Sequence, residues 1–172
     1  FKTAYSLKNI YYPARKDLDI SNYSSIKKFL TKIKPKIIIH AAAISRPMSI
    51  HENHPQKSIQ TNIIDTSNLT IACIEMGIKL IYFSTNYVYP LNNKSNKEDD
   101  PVLPINNYAF SKMGGECAVQ MYKNSLVLRI IMSERPFVHE GAFTDIKTNF
   151  LYHDEVIRLV PKIINSKGIL NV

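Results

Sequence analysis

Residues 36–43 read Lys-Ile-Ile-Ile-His-Ala-Ala-Ala. Two later stretches share their character: Leu80-Ile81-Tyr82-Phe83 and Leu126-Val127-Leu128-Arg129-Ile130-Ile131. Each is a short continuous apolar run, not an alternation of apolar and polar residues. An alternating strand keeps one face in water, whereas a continuous one is covered on both faces. Three such runs predict strands of a parallel sheet held between two layers of helices.

The segments around these runs carry helical periods. Ser21 is the expected N-cap of a helix that places Ile26, Phe29, Leu30 and Ile33 on one side, with Pro35 ending it. Pro55 opens a second helix, whose apolar face is read as Ile59, Ile63, Thr66, Leu69 and Cys73, and Gly77 closes it. Asn107 is the expected cap of a third helix, with Phe110, Met113, Cys117 and Met121 turned to the core. A fourth is predicted over His153–Ile164, before a short strand near Ile169-Leu170, and Asn9-Ile10-Tyr11-Tyr12 is read as an earlier strand. Strands alternating with helices at this spacing imply βαβ units with right-handed crossovers. The expected fold is α/β: a Rossmann-like, doubly wound parallel sheet forming one domain over residues 1–172.

The net charge is +8, from 22 basic and 14 acidic residues. That balance suits an anionic partner. The lysines are scattered, and no zinc-ligand spacing or RNA-recognition motif accompanies them, so a solvated basic surface is preferred to a nucleic-acid site. A phosphate-bearing ligand remains compatible. No apolar run is long enough to span a membrane and no leader pattern opens the chain, so a soluble, cytoplasmic protein is expected. Cys73 and Cys117 both sit in helical periods and are read as small core residues, not a disulfide. His51, His54 and His139 lack paired spacing and are read as surface or loop residues, with no metal site.

Residues 86–106 differ from the rest: Pro90, Pro101 and Pro104 flank a polar stretch. A loop of that length in a compact domain is usually functional or mobile. Ligands of open α/β sheets bind outside the carboxyl ends of strands, so this loop is expected to border a cleft. Thr85, at the end of the second run, places a hydroxyl there. On the following helix Tyr108 and Lys112 stand four residues apart and share a face. A neighbouring cation favours the phenolate and is expected to acidify the tyrosine. A phenol so placed donates a proton to a developing alkoxide or recovers one from an alcohol. Gly114-Gly115 cost a helix stability, which makes sense if that helix packs closely on the sheet or on another helix.

Taken together, Ile38-Ile39-His40-Ala41-Ala42-Ala43, Thr61-Asn62, Ser84-Thr85, Pro104 with Tyr108 and Lys112, and Leu128-Arg129 follow the order of extended short-chain dehydrogenases. Within them the chain most resembles the dTDP-4-dehydrorhamnose reductase group. Lys16-Asp17-Leu18-Asp19-Ile20 is similar to that group's segment after the second strand, Phe83–Tyr89 to its active-site strand, and Asn149–Val156 to its later return to the Rossmann sheet. The resemblance implies reduction of the 4-keto group of a nucleotide-linked deoxysugar. It makes Tyr108 the general acid, Lys112 its tuner and the ligand of the nicotinamide ribose, Thr85 the holder of the carbonyl, and Asn62 a member of the proton relay. Ala41, Ala42, Ala43, Ser84 and Ile131 would line the cofactor, with Asp19 and Ile20 by the adenine. Asn86, Tyr87 and Arg135 would face the substrate. Arg15 and Lys16 would pair with a 2′-phosphate, which favours NADPH over NAD. A nucleotide-sugar substrate and a homodimer are the implied partners. Two other readings stay open: an epimerase on the same scaffold, and a non-catalytic, nucleotide-binding regulatory subunit of the methionine adenosyltransferase kind.

The glycine-rich phosphate turn of the family does not occur in the sequence. The family opens with a strand and that turn, inside a βαβ unit of roughly 30 residues. Phe1 is expected to fall within the first helix, with strand and turn preceding it. Without that turn the pyrophosphate lacks its main anchor, so residues 1–172 alone are expected to bind the cofactor weakly. Residues 131–150 leave room only for a reduced substrate-side segment. Arg135 and Lys147 there could contact a nucleotide diphosphate, but ordinary surface cations are the stronger reading.

Overall fold

The structure, a computed structural model, describes residues 10–91, 95–136 and 150–172. The three apolar runs form strands β1 (Ile37–His40), β2 (Lys79–Thr85) and β3 (Ser125–Ser133). They pair in parallel, Ile37 with Lys79 and Leu80 with Ser125 at the start of each ladder. Two shorter strands, β4 (Phe150–Tyr152) and β5 (Gly168–Asn171), also run parallel to β3, β5 along its first half and β4 along its end. The predicted strand near Ile169-Leu170 is β5, and β4 was not foreseen. Ile10, Tyr11 and Tyr12 form no strand and are exposed. Among the described residues β1 pairs only with β2, and its other edge carries no partner strand.

Helices cover both faces. Alternate residues of β2 point opposite ways. Leu80 and Tyr82, with Val127, pack on Ile26 and Leu30 of α1 (Tyr23–Ile33), Leu69 and Cys73 of α4 (Thr66–Met76) and Val119 of α5 (Asn107–Gln120). Ile81 and Phe83, with Leu126, Leu128 and Ile130, meet Val156 and Val160 of α6 (His153–Ile163) on the other face. This is the doubly wound arrangement, and every residue of β2 is buried.

Two predicted caps move by one residue. Asn22, not Ser21, accepts from the Ser25 N–H, and Asn106, not Asn107, accepts from the Ala109 N–H. Ser21 instead hydrogen-bonds the Asp19 carboxylate. The second helix is broken into pieces. A short helix α2 (Ser49–Asn53) precedes Pro55, and α3 (Pro55–Ser58) runs through a π-helical stretch, Ile59–Asp65, into α4. A π-turn holds more residues than an α-turn, so a 3.6-residue period carried back from Leu69 fails beyond it. Thr66, Leu69 and Cys73 are buried as expected, but Ile59 is 48% exposed.

On α5 the predicted apolar face is the wrong one. Phe110 and Met121 are 58% and 84% exposed, and Cys117 is exposed with its thiol free. The buried side is Ala109, Ser111, Lys112, Gly115, Glu116 and Val119. A largely polar face is held inward by hydrogen bonds, which hydrophobic periodicity does not register. Gly77 ends α4 at φ +66°, and Lys34 ends α1 at φ 50°. Glycine takes that left-handed conformation without the Cβ penalty. Lys34→Gly is therefore expected to stabilise the fold by about 0.5–1 kcal/mol, read as a rise in the urea midpoint with an unchanged slope.

Candidate active site

The carboxyl end of β2 is where the site assembles. Thr85 is its last residue and is buried; its Oγ1 accepts from the Tyr87 N–H at 3.3 Å, starting a 3₁₀ turn over Asn86–Val88. Tyr108, in the first turn of α5, lies close enough to Thr85 for that hydroxyl to act on its phenol. Burial raises the Tyr108 phenol to about 12, while the Thr85 hydroxyl pulls the other way. Tyr108 therefore keeps its proton at neutral pH. Its ring meets Tyr87 edge-on at 6.3 Å and His51 at 5.1 Å.

Lys112 lies one turn further along α5 and is buried. Its Nζ sits 4.2 Å above the centre of the Tyr82 ring. Burial pulls its ammonium down to about 7, and the Glu116 carboxylate opposes that. The expectation that Lys112 acidifies Tyr108 is not met here: Lys112 is not among the groups that move the phenol, because the ammonium stacks on Tyr82 instead of lying against Tyr108.

The supporting residues lock this corner together. Asn62, on the π-helical stretch, is fully buried. Its Oδ1 accepts from the Ile44 N–H, and its Nδ2 donates to the Ile44 carbonyl and to Ser111 Oγ, each at 2.9 Å. It clamps the loop after β1 to α5. Gly115 lets α5 approach: a Cβ there would stand 2.4 Å from the Asn62 carbonyl oxygen and 2.7 Å from the Tyr82 hydroxyl. The expectation of close packing at Gly114-Gly115 holds on both sides, since a Cβ on Gly114 would meet Ile63 at 2.7 Å.

His40, at the end of β1, is buried beneath the site with Nε2 2.9 Å from Thr66 Oγ1. Burial, helped by the Lys112 charge, holds its pKa down to about 3. A histidine kept neutral in the fold contributes stability that is complete above its unfolded pKa of about 6.5 and drains away as pH falls toward 3. His40→Gln is expected to flatten the fall in unfolding free energy over that window, measured by denaturant titrations at stepped pH.

His51 corrects the reading of it as a surface residue. It is wholly buried on α2, with Nδ1 2.7 Å from Ser58 Oγ, and burial lowers its pKa against the Ser45 backbone and the Glu52 carboxylate. His54 is exposed, as expected. The link between His51 and Ser58 joins two short helices across Pro55, and the sequence carries no periodic signal for it.

The remaining predicted residues fall in three places. Ala41, Ala42 and Ala43 are exposed just beyond β1, beside the end of β2. Asn86 follows Thr85, with a buried Oδ1 that has no hydrogen-bond partner. Ser84 is buried and donates to Glu116. Ile131 lies in β3 just past the residue paired with Thr85. Arg15, Lys16, Asp19 and Ile20 sit together in a turn before α1, where Arg15 is 3.7 Å from Asp19. Arg135 is turned away to Asp154, Glu155 and the Tyr152 ring, 3.6 Å below it. Lys147 and His139 lie outside the described residues. The loop expected at the cleft is fastened: Arg129 donates to the Glu98 carbonyl, and Asn171 to Glu98 and the Asn96 carbonyl.

These residues fit a nicotinamide nucleotide. Three alanines at the rim leave the backbone accessible, and an ammonium stacked on a ring, not paired with a carboxylate, keeps donors for a ribose hydroxyl. Among the described residues no cluster of side chains suits a metal ion, and no helix is long and apolar enough to cross a membrane.

A parallel sheet with helices on both faces, with Thr85 at the end of the central strand β2 and Tyr108 and Lys112 on the neighbouring α5, defines a Rossmann-like protein. Residues 3–133 match the model of the RmlD substrate binding domain, and the chain belongs to that family. The methionine adenosyltransferase 2 subunit beta of Bos taurus is 33% identical over 137 residues, 77% of this chain and 40% of that protein. The dTDP-4-dehydrorhamnose reductase of Escherichia coli (strain K12) is 32% identical over 105 residues, 60% of this chain and 35% of that protein. The chain spans well under half the length of either relative. The crystal structure of dTDP-4-dehydrorhamnose reductase from Bacillus anthracis in complex with NADP superposes with a TM-score of 0.82 at 24% identity, over 94% of this chain and 64% of that one, a likeness of fold.

Proposed function

We propose that the protein containing this chain reduces the 4-keto group of a nucleotide-linked deoxysugar with a nicotinamide cofactor, NADPH ahead of NADH. The observation that carries this is the placement of Tyr108 and Lys112, one turn apart on α5, beside Thr85 at the end of β2. When bound, the cofactor supplies the hydride that goes to the carbonyl carbon. Thr85 donates a hydrogen bond to the carbonyl oxygen, where charge develops. Tyr108, protonated at neutral pH, gives that oxygen its proton. Lys112, stacked on Tyr82, holds the ribose. Ala41–Ala43 and Ser84 line the cofactor, Arg15 and Lys16 take a 2′-phosphate, and Asn86 lies on the substrate side. Residues 1–172 act as one cofactor-binding domain, with 131–150 on the substrate side. A homodimer is the expected assembly, supported by the apolar residues that α4 and α5 leave exposed, among them Ile71, Ile74 and Phe110.

The identity with the methionine adenosyltransferase beta subunits over 77% of the chain favours a second reading, a nucleotide-binding regulatory subunit without turnover. An assay on the full-length protein separates the two. The proposal expects cofactor oxidation with dTDP- or UDP-4-keto-6-deoxy sugars. Capture of a partner enzyme with no ketone reduction would reverse the order.

A further inference from the structure

Behind the reaction centre lies a buried charge network that the proposed chemistry does not use. Glu116 stands one turn beyond Lys112 on α5 and is 1% exposed. Its Oε1 accepts from Arg129 Nη2 at 2.6 Å, from Arg129 Nε at 3.1 Å and from Gln120 Nε2 at 2.9 Å. Its Oε2 accepts from Ser84 Oγ at 2.5 Å. Arg129, 4% exposed on β3, also donates through Nη1 to Tyr89 Oη at 2.5 Å and to the Glu98 carbonyl at 3.2 Å. A buried ion pair is a weak source of net stability, because desolvating two charges costs about what their attraction returns. What the pair touches is more telling. Ser84 is the neighbour of Thr85 on β2, and Lys112 and Glu116 are four apart on one helix face.

We propose that Glu116, clamped by Arg129, is a positioning residue for the reaction centre: it holds Ser84 on the strand that carries Thr85, and it supplies the counter-charge that keeps an ammonium at Lys112. The groups around Lys112 support this. From β2 it meets Tyr82, whose phenol burial drives well above its ordinary value, so it is neutral. From β1 it feels His40, neutral down to about pH 3. On its own helix Tyr108 keeps its proton. Asp65, on the π-helical stretch packed against α5, is turned to Gln60. Among the described residues Glu116 is the carboxylate that acts on Lys112, and it works against the burial that draws Lys112 down to about 7. The catalytic consequence rests on the reductase reading above, whereas the charge relation does not.

The test reads Lys112 ionisation directly, by a ¹⁵N NMR titration of its Nζ in the full-length protein and by the pH dependence of Lys112 acylation mapped by mass spectrometry. Glu116→Gln keeps the size and an acceptor for Arg129 but removes the charge, and Lys112 should then titrate about one unit lower. Arg129→Met removes a competing cation and frees Glu116, and Lys112 should titrate higher by a similar amount. A merely structural role loosens packing in both variants and wets Lys112, moving both upward toward an ordinary lysine. Opposite shifts bear the proposal out; shifts of the same sign, or none, overturn it. If Glu116→Gln does not fold, the double variant Glu116→Gln/Arg129→Met removes both members of the ion pair and must abolish the rise seen with Arg129→Met alone. Turnover is recorded separately: a wild-type protein inert toward 4-keto sugar nucleotides would sink the reductase reading, while the Lys112 titrations still decide this one.

Discussion

Tyr108→Phe should lower the rate of ketone reduction by about a hundredfold to ten-thousandfold, the usual contribution of a general acid, and leave the fold intact. The substitution removes one oxygen and keeps the ring. The ring's contacts with Tyr87 and His51 survive, so packing around the first turn of α5 should not change. What disappears is the phenolic proton on which Thr85 acts. Thr85 can still polarise the carbonyl oxygen, which is why a residual rate is expected instead of none. The loss should fall on kcat more than on KM, because the bond being removed strengthens as charge develops on the oxygen. Steady-state kinetics of cofactor oxidation, with circular dichroism to confirm the fold, check both halves. Turnover equal to the parent protein's would remove Tyr108 from the mechanism.

The second large effect is on stability. Gly115→Ala should destabilise the fold by about 3 kcal/mol, the upper end for forcing atoms into a packed interior. The added methyl would stand 2.4 Å from the Asn62 carbonyl oxygen and 2.7 Å from the Tyr82 hydroxyl. The first is backbone and has nowhere to go unless α5 moves off the π-helical stretch. Such a movement would also strain the bond from Asn62 to Ser111 and the bond from the Tyr82 hydroxyl to the Lys112 carbonyl. Activity should fall with stability, since Tyr108 and Lys112 ride on the same helix. Chemical denaturation measures it, and a cost below about 1 kcal/mol would mean the helix contact is looser than drawn.

The sheet was legible because its strands announce themselves as continuous apolar runs, Ile37–Ile39, Leu80–Phe83 and Leu126–Ile131; β2 is buried throughout, but Ile39 of β1 is exposed, so that run is not covered on both faces as expected. α6 and β5 were legible for related reasons of period and spacing. The inward face of α5 was not. Phe110, Cys117 and Met121 are apolar and stand outside, while Lys112 and Glu116 are charged and stand inside, because tertiary partners on β2 and β3 outweigh local periodicity. His51 was missed for the same reason, since its burial depends on Ser58 and Tyr108 reaching it from other segments. Ile59 was misplaced by the π-helical stretch, which shifts register by an amount that composition does not encode. Tyr108, Lys112 and Thr85 could be found from their order along the chain, but the stacking of Lys112 on Tyr82 could be found only in three dimensions.

The most direct test is a crystal structure of the full-length protein with NADP bound. The nicotinamide ring should lie over the carboxyl end of β2, with Tyr108 Oη and Thr85 Oγ1 both turned to one point above it and Lys112 Nζ bonded to the ribose. A nicotinamide seated elsewhere, or a Tyr108 side chain rotated away from Thr85 in that complex, would contradict the account.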